Sequence, residues 1–161
     1  MINVNAAEGK YVTSWAEFAF APGALEGLAQ LATLGVPLVV VTNQRGIARG
    51  HLSESDLADM HRRMSSEVAR AGGRLDAVFH CPHEGGCLCR KPGTLLFERA
   101  AEQLGIELRR AAVVGDRASD MQAARSLGAL GVLVGDHDEP MPAVDHRAED
   151  LASAARWLCA R

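Results

Sequence analysis

No stretch of this chain is apolar for long enough to cross a bilayer. The longest aliphatic run spans only Val36 to Val41, whereas a membrane helix needs about 20 residues. A basic stripe is missing too: Lys and Arg total 17 against 20 Asp and Glu, for a net charge of −3. Arg62-Arg63 and Arg109-Arg110 stand as isolated pairs, as solvated helix or loop positions do, so no nucleic-acid footprint is indicated. Met1-Ile2-Asn3-Val4-Asn5 lacks the basic and apolar regions of a signal peptide. Cysteine is scarce, at four residues, and three of these crowd into one loop while Cys159 stands alone. That is the composition of a reducing compartment. These absences lead us to expect a cytoplasmic protein with neither membrane nor nucleic acid as partner. At 161 residues, 48% of them hydrophobic and 23% charged, the chain fits a single domain over 1–161 with a real core.

What is present centres on Cys81-Pro82-His83-Glu84-Gly85-Gly86-Cys87-Leu88-Cys89-Arg90-Lys91-Pro92. Two glycines let the backbone fold back, so that Cys81, His83, Cys87 and Cys89 can reach one point. Cys₃His is a closed tetrahedral set for structural Zn²⁺, with no position left for water or substrate. A disulfide is the bland alternative and suits an oxidising compartment rather than this one. Zn²⁺ is the reading adopted. Arg90 and Lys91 follow the last ligand directly, so a metal clip would fix where both cations point.

Along the chain, Glu8 to Val12 reads as a surface loop or short hairpin, followed by Trp15, Phe18 and Phe20. Pro22 is placed to open a helix, with Leu25, Leu28, Leu31 and Leu34 as its apolar stripe and Gly35 to end it. Pro37 to Thr42 is an aliphatic run without alternation, as in a strand buried on both faces. Ser53 and Asp56 resemble a capping box opening a helix to about Ala71. Leu75 to His80 is a second strand feeding the cysteine loop. A helix through Leu95, Leu96, Ala100 and Leu104 follows, then a strand over Ala111–Val114 and a short helix from Asp120 to Leu127. Leu130 to Val134 is the fourth strand, and Glu149 to Leu158 the last helix. The alternation predicts a doubly wound, Rossmann-like α/β fold on a parallel sheet. His51, His61, His80, His137 and His146 read as surface or supporting residues, and Cys159 as an ordinary helix position.

Polar groups gather at the carboxyl ends of three successive strands: Thr42 and Asn43, Arg90 and Lys91, Asp116 and Asp120. Open α/β sheets place their ligands there. A hydroxyl, two cations and two carboxylates suit phosphate together with a hard cation such as Mg²⁺, which shares its coordination with phosphate and water.

On these residues the chain resembles the haloacid dehalogenase superfamily of phosphatases. Thr42, Lys91 before a proline, and Gly115-Asp116-x-x-x-Asp120 are similar to the family's motifs two, three and four. Thr42-Asn43-Gln44, Gly46 to Gly50 and the Cys81 to Pro92 loop narrow the resemblance to the heptose 1,7-bisphosphate phosphatases and the histidinol-phosphate phosphatases. The resemblance implies a phosphatase-type sheet with the zinc loop inserted and no large cap domain, acting as a monomer on a small phosphorylated sugar. It implies that Thr42 and Lys91 hold the transferring phosphoryl group, that Asp116 binds Mg²⁺, and that Asp120 supports it. Asn43, Gln44, Arg90 and Arg117 would contact substrate, and Arg45, where many relatives carry serine, could touch a second phosphate or cover the loop. The family attacks phosphorus with an aspartate, forming an aspartyl-phosphate, and a second aspartate serves as acid and base. That Asp-x-Asp motif belongs just before Asn3, where this sequence begins, so both it and the first strand are expected to be missing. Asp136-His137-Asp138 cannot replace it. With β neighbours about 4.8 Å apart, a loop two strands away lies roughly 10 Å off. The sequence therefore predicts a poorly stable, nearly inert phosphatase chain. The alternatives are a non-catalytic, zinc-stabilised phosphate-binding remnant and a zinc-bearing interaction module.

Overall fold

A computed structural model describes residues 1–4, 10–136 and 140–161. Helices and parallel strands alternate along the chain. Strands β1 (Val39–Asn43) and β2 (Ala77–Cys81) form one parallel ladder, in which Val39 faces Ala77 and Asn43 faces Cys81. Strands β3 (Ala112–Gly115), β4 (Leu130–Val134) and β5 (His146–Ala148) form a second, in the order β3-β4-β5. Among the described residues no strand pairing joins β1 to β3. The helices are α1 (Ala24–Ala32), α2 (Arg45–Ala48), α3 (Glu54–Arg70), α4 (Leu95–Leu104), α5 (Ala118–Leu127) and α6 (Leu151–Cys159).

The α/β alternation and the four expected strands are present, with bounds shifted by a residue or two. The Ser53–Asp56 capping box forms: the Ser53 hydroxyl accepts from the Asp56 N–H at 3.1 Å and Asp56 accepts from the Ser53 N–H at 3.1 Å. Four expectations need correction. Helix α1 starts after Gly23 rather than at Pro22, and it ends before Leu34, which is 41% exposed. Strand β1 is only partly buried along its whole length, because β2 flanks it on one edge alone. The stretch before the last helix contains β5, a short strand whose partly polar sequence His-Arg-Ala carries no aliphatic signal. As a result β4 is flanked on both sides, by β3 and β5. The expected loop at Glu8 and Gly9 lies outside the described residues.

The principal core joins α1, α3, the second ladder and α6 through Leu28, Leu31, Val68, Val132, Val134 and Leu151. Leu38 and Leu75, which precede the strands of the first ladder, pack against the same cluster, as does Val114 of β3. Apolar contact thus ties the amino ends of the first ladder to the second ladder. A smaller cluster of Cys81, Cys89 and Leu96, with Val41 and Phe79, sits between the first ladder and α4.

Helices α1 and α6 meet at Gly27, where a Cβ would stand 2.6 Å from the Leu151 backbone. Substituting Gly27→Ala is therefore expected to force the helices apart and to cost about 1–3 kcal/mol. Urea unfolding checks this; an unchanged midpoint would show that the helix pair can shift without loss.

Candidate active site

Strand β2 ends at Cys81, and the loop leaving it closes on itself. The Sγ atoms of Cys81, Cys87 and Cys89 lie 3.1–3.5 Å apart. His83 Nδ1 is 3.7 Å from Cys81 Sγ and 3.2 Å from Cys89 Sγ. All four donor atoms fall within 4.8 Å of one another. The sulfur separations exceed the ~2.05 Å of a disulfide and approach the edges of a tetrahedron with ~2.3 Å metal–sulfur arms. Gly86, at φ +69°, makes the turn that brings Cys87 back. Burial pushes the Cys81 thiol up to about 12, with a hydrogen bond to Cys89 adding to the effect. Burial also pushes Cys87 up, but hydrogen bonds from Cys89, Cys81 and the Arg90 N–H outweigh it and bring Cys87 to about 6. Cys81 and Cys87 are thus shifted in opposite directions, and a bound cation would favour the thiolate form that metal ligation requires.

Beyond the last cysteine the chain crosses over the end of β1. The Lys91 N–H donates to Asn43 Oδ1 at 3.0 Å, and Asn43 Nδ2 donates to the Lys91 carbonyl at 3.3 Å. This reciprocal pair fixes the Lys91 backbone above β1. Its ammonium then donates to the Val41 carbonyl at 2.7 Å and pairs with Asp120 Oδ1 at 2.7 Å. Arg90 is held from the same loop, Nη1 donating to the His83 carbonyl at 3.3 Å.

On the other ladder, β3 ends at Gly115 and α5 begins at Ala118. Asp120 is buried, 4% exposed. Its Oδ2 accepts from the N–H groups of Asp116 at 3.2 Å and Arg117 at 3.1 Å. A Cβ on residue 115 would stand 2.4 Å from that of Asp120, so only glycine lets the carboxylate fold back over the turn. Asp116 projects beyond it, about one quarter exposed, with Oδ2 2.8 Å from the Met1 ammonium. Thr42 Oγ1 accepts from Gln44 Nε2 at 3.3 Å, which leaves its own O–H proton available to donate.

The structure thus links Asn43, Lys91, Asp120 and Asp116, with Thr42 next to the Val41 carbonyl that Lys91 binds. Asn43 spends its carboxamide on Lys91, and Asp120 spends its carboxylate on Lys91 and the turn. Asp116 is left as the carboxylate able to take a hard cation, which needs only one or two such ligands beside phosphate and water. Arg117 is exposed. Arg45 opens α2, and its Nε is buried with no hydrogen-bond partner among the described residues. Glu84, unremarked in the sequence, gathers the rim. Hydrogen bonds from Arg49 at 2.6 and 2.9 Å hold its carboxyl below the usual range, and the charges of Arg45 and Arg90 add to the effect. Its place between two metal-loop ligands was the available clue. The Val41 carbonyl, as a backbone group, offered none. Asp136 follows β4, with β3 between that strand and the site, and Asp138 lies outside the described residues.

A family model described as HAD-hydrolase-like matches residues 88–155. The chain is 36% identical over 163 residues to the D-glycero-beta-D-manno-heptose-1,7-bisphosphate 7-phosphatase of Pseudomonas putida, covering 96% of this chain and 93% of that one. The crystal structure of the D,D-heptose 1,7-bisphosphate phosphatase from B. bronchiseptica, complexed with magnesium and phosphate, superposes with a TM-score of 0.88 at 32% identity. It covers 98% of this chain and 92% of that one. The corresponding enzyme of Burkholderia thailandensis gives a TM-score of 0.69 at 32% identity, over 90% and 89%. Likeness in sequence and in fold over nearly the whole of both chains reflects common descent, and the chain belongs to the heptose 1,7-bisphosphate phosphatase family of the haloacid dehalogenase superfamily.

Proposed function

We propose that residues 1–161 form one phosphatase domain that takes the phosphate monoester of a small phosphorylated sugar, with heptose 1,7-bisphosphate as the substrate and heptose 1-phosphate as the product. One observation supports this reading: the Lys91 ammonium is held between the Val41 carbonyl, next to Thr42 in the chain, and Asp120, whose carboxylate also takes the Asp116 N–H. The Thr42 O–H would donate to a phosphoryl oxygen, while Lys91 offers a charge-assisted donor to a second. Asn43 orients Lys91 rather than touching substrate, whereas Gln44, Arg45, Arg90 and Arg117 would face the sugar and its other phosphate. Asp116 would hold Mg²⁺, with Asp120 keeping the turn beneath it. When bound, Mg²⁺ supplies the positive charge that phosphoryl transfer needs on the equatorial oxygens. Cys81, His83, Cys87 and Cys89 would hold Zn²⁺, as their near-tetrahedral separations allow. We place the protein in the cytoplasm, as a monomer.

The family's route transfers the phosphoryl group to an aspartate, breaking the ester P–O bond, with a second aspartate protonating the sugar oxygen. Among these 161 residues the first aspartate is Asp56, on α3 and away from this site. The covalent step thus needs an Asp-x-Asp at this site; Asp136-His137-Asp138 follows β4, with β3 between that strand and the site. The 161-residue chain is expected to bind phosphate with Mg²⁺ but to show almost no turnover of heptose 1,7-bisphosphate. A chain extended by a strand bearing Asp-x-Asp should turn it over. Robust turnover without the extension would place the nucleophile elsewhere.

Two substitutions test the binding side. Thr42→Val keeps the side-chain shape and removes one donor, worth about 0.5–1.5 kcal/mol, so calorimetric titration should show phosphate binding weakened by roughly two- to tenfold. Unchanged affinity would remove Thr42 from the site. Cys87→Ser should lower the zinc content of freshly purified protein and weaken phosphate binding with it, because Arg90 and Lys91 hang from that loop. Full zinc content in the variant would refute the ligand set.

A further inference from the structure

Strand β2 presents alternate side chains to opposite faces. Cys81 turns to the side of α4 and the cysteine loop; its neighbour His80 turns to α3. There His80 Nε2 lies 2.8 Å from Glu54 Oε2, and the His61 ring lies with its centroid 6.0 Å from that of His80, the planes inclined by 59°. Glu54, Ala58, His61 and Ser65 fall on one stripe of α3 and, with Val78 and His80 of β2, line an open groove. Arg62 also borders the groove, but Asp59 offsets its charge at 2.8 Å. None of these residues belongs to the phosphate site.

We propose that Glu54, His61 and His80 form a second metal site, on the face of the first ladder opposite the cysteine loop, for a borderline divalent transition metal such as Zn²⁺, Co²⁺ or Ni²⁺. Two imidazoles and one carboxylate are the donor set that such ions favour over Mg²⁺ or Ca²⁺. An ion bound at ~2.0–2.1 Å from a ring nitrogen sits about 3.2 Å from the ring centre, so two rings sharing it tetrahedrally have centroids roughly 5.2 Å apart. The His61 and His80 centroids stand 6.0 Å apart and Glu54 already meets His80, so a turn of the His61 side chain would close the set. Three donors in an open groove leave the remaining positions to water, unlike the closed Cys₃His set. A bound ion would also pin the first turn of α3 to the outer strand of the first ladder.

The test uses the tag-free full chain with its cysteine loop already loaded with Zn²⁺. Titration with Co²⁺ should reveal one further equivalent, with weak visible bands and no thiolate-to-metal charge transfer. His61→Ala and Glu54→Gln should each weaken that binding on the order of tenfold or more. His51→Ala, whose ring stacks on Tyr11 elsewhere, should not. The Glu54 side chain is 59% exposed, so Glu54→Gln leaves the fold intact and the comparison valid. No second equivalent, a second equivalent with thiolate bands, or binding that His61→Ala and Glu54→Gln leave unchanged would each overturn the site.

Discussion

The ammonium of Lys91 reaches both ladders. It donates to the Val41 carbonyl on β1 and pairs with Asp120, five residues past the end of β3. Both side chains are largely out of water, 15% and 6% exposed. Two desolvated charges persist only when each satisfies the other and further hydrogen bonds take up what remains. That condition is met in detail: Asp120 also accepts two backbone N–H groups, and Lys91 also donates to a backbone carbonyl. Removing either partner would strand the other charge, at a cost of about 3–5 kcal/mol. The apolar core joins the ladders through buried side chains; Lys91 joins them by charge and hydrogen bonds at the carboxyl ends of β1 and β3, where the chemistry lies.

The supports of Lys91 converge from three elements. Asn43, the last residue of β1, grips its backbone. The cysteine loop supplies the approach and holds the adjacent Arg90 through the His83 carbonyl. Gly115 leaves room for Asp120 to face inward. A loop with so few apolar residues has little core to stiffen it; Leu88 is 77% exposed. Metal–ligand bonds among Cys81, His83, Cys87 and Cys89 would provide that stiffness, so the positions of Arg90 and Lys91 are coupled to the occupancy of the metal loop.

Much of this was legible from residue order. The aliphatic runs marked strands β1 to β4, because a parallel strand leaves its signature in four or five consecutive positions. The ligand set was legible because its four donors lie within nine residues and close on themselves without help from distant segments. Harder to read were features that depend on crossing chains. Nothing in the order of residues says that Lys91 passes over β1 to reach Asp120, or that Asn43 turns its amide to a backbone rather than to a ligand. β5 escaped because three residues with a charged centre carry no hydrophobic period. The partial burial of β1 escaped for a related reason: an aliphatic run reports how apolar a strand is, but not how many neighbours flank it. The grouping of Glu54, His61 and His80 likewise joins helix to strand across 26 positions.

Charge accounting around Lys91 also constrains how the proposed site can work. Lys91 and Asp120 cancel, so the pair offers a phosphate directed hydrogen bonds but little net attraction. Asp116 is paired with the Met1 ammonium at 2.8 Å, so its charge too is offset rather than presented alone to an incoming phosphate. On the rim, Arg45, Arg49 and Arg90 are partly offset by Glu84, which draws Arg49 to itself. With its charges paired in this way, the site gains net positive charge for an anion only when a divalent ion joins Asp116. In the proposed reaction Thr42 and Lys91 would fix the orientation of a phosphate that binds together with that ion.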